Sequence, residues 1–141
     1  MRRIFDMIPL MTIPIGLYAI IAILAASSHG VDVFATQLEK PNFYIGLPSG
    51  ASWGLSGGTL MIILGLVILF YELIRGVANS RFAIIHHTLS VLLALGAMGA
   101  FLIFESFGTS TFFILVIMCL LDMIGGVIVN IAEAGFGGRE D

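Results

Sequence analysis

Four ionisable side chains lie inside runs of sequence that are otherwise almost wholly apolar: Glu72, His86, His87 and Asp122. Two carboxyls and two imidazoles are the side chains that hold metals, ligate haem or relay protons. They are also the groups that tie packed helices together by hydrogen bonds. Adjacent residues on a helix point ~100° apart, so His86 and His87 are splayed, whereas a bis-histidine haem needs ligands from opposed positions. No other apolar run contains a histidine, since His29 lies outside the runs. A bis-histidine haem would therefore need two copies of the chain. Zinc would want three or four clustered ligands, and no spacing motif joins Glu72, His86 and Asp122. The expected role of the histidines is a hydrogen-bonded pair, with a ring nitrogen on Glu72, on Asp122 or on a neighbouring carbonyl. No cofactor is expected, with haem, a pigment or a lipid as the alternatives.

The elements that carry these residues follow from composition. The chain has 141 residues, 59% hydrophobic and 11% charged, with a mean hydropathy of +1.10. Soluble domains carry about a quarter charged residues. The balance predicts a single integral membrane domain over residues 1–141. A net charge of −3 offers no basic stripe for nucleic acid. The one cysteine, Cys119, excludes an intrachain disulfide and reads as a small packing residue.

Crossing the hydrocarbon core takes ~20 apolar residues in a helix. Four stretches qualify, at roughly 8–26, 53–74, 82–104 and 111–132. The fold class expected is an all-α bundle of four transmembrane helices. "MRRIF", an apolar run and "LAASS" also resemble a secretory signal, but the run is long for one and is read as a retained span. Pro9 falls in the first turn of that span, and Pro14 is expected to kink it. Arg2, Arg3, Arg75, Arg81 and Arg139 share one side of the bilayer if both termini are cytoplasmic, leaving only Lys40 outside. The positive-inside rule then selects the N-in, C-in arrangement.

The connection from Ser27 to Ser52 is the only sizeable one and is expected on the non-cytoplasmic side. "VDVFATQLEK" suits a short interfacial helix. Pro41, Gly46, Pro48 and Gly50 are expected to break regular structure after it. Phe43, Tyr44 and Trp53 suit the headgroup level. "GVANS" and "ESFGTS" are short turns, and Thr109 or Ser110 is expected to cap the last helix.

Helical periodicity groups the polar residues with small ones. Glu72 shares a face with Gly54, Gly58, Met61, Gly65 and Ile68. His86 and His87 flank a stripe of Ala83, Ser90, Ala94, Ala97 and Phe101. Asp122 shares its face with Thr111, Leu115, Met118, Gly125, Gly126 and Val129. The first span has Thr12, Gly16, Ala19, Ala22 and Ala26. Small residues mark close helix approach in membranes, so Gly16, Gly58, Gly65, Ala94, Ala97, Gly125 and Gly126 are expected at helix contacts. At 1.5 Å per residue, Glu72 lies ~5 Å, the histidines ~6–8 Å and Asp122 ~15 Å from the cytoplasmic end of their spans. Glu72, His86, His87, Ser90, Asp122 and Asn130 are thus expected to form one buried polar seam. Glu72 and Arg75, one turn apart, are expected to pair.

"LPSGASW", "LFYELIR", the histidine followed by "TLS", and "FGTSTFFILVIMCLLDMIGG" resemble a set of uncharacterised small bacterial inner-membrane proteins with four predicted helices. The likeness covers about the last two-thirds of the chain. It implies a bacterial inner-membrane location and the four-helix layout, and no activity.

No nucleophile triad, phosphate loop or metalloprotease motif is legible. Small multidrug transporters also combine four helices with an embedded acid, but theirs lies in the first helix, where this chain has none within the apolar run. The expected function is a non-enzymatic membrane protein, an accessory or assembly subunit of a larger membrane complex. Its partners would be the bilayer and other membrane subunits or copies of itself. A proton- or ion-coupled small transporter acting as an oligomer is the alternative, and a haem or redox protein a weaker one.

Overall fold

The computed structural model describes residues 8–76 and 83–137. Five α-helices and one β-hairpin follow in order: α1 (Thr12–His29), α2 (Val31–Glu39), β1 (Pro41–Gly46), β2 (Ser52–Ser56), α3 (Gly57–Gly76), α4 (Ala83–Ile103) and α5 (Ser110–Gly137), with a 3-10 turn at Glu105–Phe107. α1, α3, α4 and α5 are each long and apolar enough to cross a membrane. The chain is therefore a multi-pass, mostly helical membrane protein.

α1 starts at Thr12 and runs to His29, about one turn later at each end than the apolar run suggested. Pro14 consequently sits in the first turn instead of further in. Its missing N–H is one of those that no helix can satisfy internally, so it costs no hydrogen bond. Gly30, at φ 89°, ends α1 and turns the chain into α2. α2 buries Phe34 and Leu38.

The segment after α2 departs from expectation. Residues 41–56 form an antiparallel hairpin in which Phe43 opposes Leu55, Tyr44 opposes Gly54, and Ile45 opposes Trp53. Pro41 occupies the first strand position, where no ladder N–H is needed. Pro48 and Gly50 lie in the turn, closed by Leu47 N–H to Ala51 O at 2.8 Å. The breakers thus punctuate a hairpin and do not prevent it. Gly54 is required there: a Cβ would stand 2.9 Å from the Pro41 ring. Trp53 belongs to β2, and α3 begins at Gly57. Ser56 caps α3, its Oγ accepting the Thr59 N–H at 3.1 Å. Thr109 caps α5 by accepting the Phe112 N–H at 3.2 Å.

The core sits between α3, α4 and α5, with α1 laid against them. Met61 and Leu69 of α3, Ala94 and Ala97 of α4, and Phe112, Leu115, Val116, Met118 and Cys119 of α5 are buried. Tyr18 of α1 is fully buried among Phe34, Phe107 and Phe112, its ring centroid 4.7 Å from that of Phe112. The opposite faces are bare: Leu92, Leu102 and Ile103 of α4 are 60–76% exposed. Apolar faces of this size belong against lipid or protein.

Candidate functional site

Helix α1 begins without a cap of its own, since no side chain bonds from Met11. Its first amides are nonetheless all accounted for. Thr12 N–H bonds Pro9 O at 3.0 Å and Ile13 N–H bonds Leu10 O at 2.9 Å. Leu10 N–H and Met11 N–H reach across to α3, to Glu72 Oε1 at 2.7 Å and Oε2 at 3.1 Å. The Glu72 carboxylate is thus a cap supplied by another helix. Its acceptor oxygens stand at the positive end of the α1 dipole.

His86 of α4 completes the arrangement. Its Nε2 lies 2.9 Å from Glu72 Oε1. Which of the two atoms donates follows the imidazole tautomer. Glu72 is 4% exposed and is held by two backbone amides and one imidazole, from two other helices. A buried carboxylate needs such satisfaction.

His87 takes a different direction. Its Nδ1 is buried and would lie 3.2 Å from a Cβ at Gly126 on α5, with no hydrogen-bond partner among the described residues. Ser90, one turn on, is 3% exposed, and among the described residues its Oγ lacks a partner at full hydrogen-bond geometry. Asp122 of α5 is 6% exposed; Ser90 faces it, and Glu72 and His86 are within electrostatic reach. The structure therefore brings Glu72, His86, Ser90 and Asp122 to neighbouring positions on α3, α4 and α5, with His87 set against Gly126 of α5. Among the described residues, no three His, Cys, Asp or Glu side chains converge as a metal site. The side chains of Asn130 and Arg75 lie outside the described residues.

The small residues explain how these helices come so close. A Cβ on Gly65 would stand 2.8 Å from Leu115 Cδ2, and one on Gly125 2.5 Å from Leu73 Cδ2. A Cβ on Gly58 would meet Thr111 Oγ1 and, at 3.2 Å, the Leu38 carbonyl oxygen. Gly16 differs, because nothing among the described residues lies within 4 Å of its Cβ position. The buried face of α1 is Pro14, Ile15, Tyr18 and Ala22, which takes only Ala22 from the small-residue stripe.

A second polar junction was not anticipated from the sequence. Tyr18 OH bonds Thr109 Oγ1 and donates to Ser106 O at 3.3 Å. A tyrosine within an apolar run is a weak signal, but a buried hydroxyl needs a partner. Here it ties α1 to the turn between α4 and α5.

No protein-family model, curated protein or solved structure matches this chain.

Proposed function

We propose that the chain is a small non-enzymatic membrane protein, an accessory or assembly subunit of a larger complex in a bacterial inner membrane, with both termini cytoplasmic. The observation that carries this reading is the state of Glu72. Among the described residues, the acid with the most hydrogen bonds is spent on holding α1 to α3 and α4, an architectural task. What the protein offers outward is apolar helix surface and a hairpin with exposed Phe43, Tyr44 and Trp53. Such faces suit packing against other membrane subunits. Affinity purification after mild solubilisation tests the reading: defined subunits should co-purify in fixed proportion, and a solitary chain would count against it.

A second reading has its own support. Asp122 faces Ser90, and His87, one turn before Ser90, has a buried Nδ1 without a hydrogen-bond partner among the described residues. Unpartnered buried polar groups are uncommon and are often hydrated. A proton- or ion-coupled small transporter, acting as an oligomer, would use such a place for a proton. Collapse of an imposed pH gradient in proteoliposomes distinguishes the two. Transport predicts faster collapse with the native chain than with Asp122→Asn; equal rates leave the architectural reading.

A further inference from the structure

Between the second half of α1 and the first two turns of α3 lies a hollow of about 600 Å³, with α2 as its third wall. Leu17 and Ile21 line it from α1, and Leu60 and Leu64 from α3. All four are 36–48% exposed, so these apolar groups face a space that the chain itself leaves open. Two polar side chains line it, His29 at the end of α1 and Gln37 on α2.

We propose that this hollow is a binding site for one acyl chain of a membrane phospholipid, with the headgroup at His29 and Gln37. Dimensions support that occupant. From Leu17 to His29 is a helical rise of ~18 Å, close to half of a ~30 Å hydrocarbon core. The hollow is thus as long as one leaflet is deep. Spread over that length, about 600 Å³ leaves a narrow cross-section. A single hydrocarbon chain is narrow enough. The polarity is also one-ended: His29 and Gln37 can donate to phosphate or ester oxygens, while the α1 and α3 walls below are aliphatic. Ligand pockets of ~300–1,000 Å³ share this apolar lining with few, placed polar groups.

The test is native mass spectrometry of the full chain released from nanodiscs of phosphatidylglycerol and phosphatidylethanolamine. The native protein should retain one phospholipid after detergent washing. Leu60→Trp and Ala25→Phe, which fill the hollow, should lower the retained fraction about tenfold. Leu92→Trp adds equal bulk to the bare face of α4 and should retain the lipid. Unchanged thermal unfolding of either filling variant shows that the fold survives, and two such variants guard against loss of one. Equal retention in filled and control variants, retention of none by the native protein, or a change of oligomeric mass in place of lipid loss would each overturn the proposal.

Discussion

Glu72 Oε2 accepts the backbone N–H of Met11 at 3.1 Å, across 61 residues of sequence. A side chain of one transmembrane helix thereby closes the open end of another. In a helix that starts within lipid or packed protein, no water replaces that bond.

Removing the carboxylate should therefore loosen α1 before it disturbs the rest of the bundle. Glu72→Ala orphans two amides and the His86 ring, at a cost of about 1–3 kcal/mol. Glu72→Gln keeps one acceptor oxygen and should cost less. Thermal unfolding in detergent ranks the three proteins, and hydrogen exchange at Leu10 and Met11 should rise first. Unchanged exchange at these amides would contradict the cap.

The glycines should separate by what surrounds them. Gly58→Ala drives a methyl against Thr111 and the Leu38 carbonyl, and should cost about 1–3 kcal/mol through overpacking. Gly65→Ala meets the ends of flexible Leu115 and Met118 side chains and should cost less. Gly16→Ala enters open space and should stabilise by up to ~1 kcal/mol. Unfolding midpoints of the three variants under one condition give the order.

Tyr18 and Thr109 should behave as a coupled pair. Tyr18→Phe removes two hydrogen bonds while keeping the aromatic cluster, at about 0.5–1.5 kcal/mol. Thr109→Val also removes the α5 cap and should cost more. In a double-mutant cycle the combined loss should fall short of the sum. Additive losses would mean that the contact carries no energy.

Cys119 is 1% exposed, so the native chain should resist a membrane-impermeant maleimide. Ser49→Cys, in the exposed hairpin turn, should label in intact cells if that turn faces away from the cytoplasm. Labelling only after permeabilisation would reverse the proposed orientation.

Which parts of this were legible in the sequence follows a physical division. Apolar runs gave the four long helices because length and hydropathy alone decide them. Periodicity placed Glu72, Ser90, Ala94 and Asp122 on buried faces because polar and small residues shared one stripe. The same logic failed on α1, where the buried face is built around Tyr18 and its size disguises the pattern. The hairpin was obscured because Pro and Gly mark a tight turn as readily as an irregular loop. Strand pairing depends on Gly54 fitting beneath Tyr44, which no local pattern reports. The Glu72 cap was out of reach for a different reason. It joins a side chain to backbone amides, and amides carry no sequence signature.

The cross-helix cap also bears on the order in which the chain is made. Residue 72 emerges from the ribosome long after residues 10 and 11. The first span must therefore wait, with the Leu10 and Met11 amides unmatched, until α3 and its Glu72 have entered the bilayer. A nascent chain stopped short of Glu72 would hold an incomplete first helix, and translation past that point is what seals it.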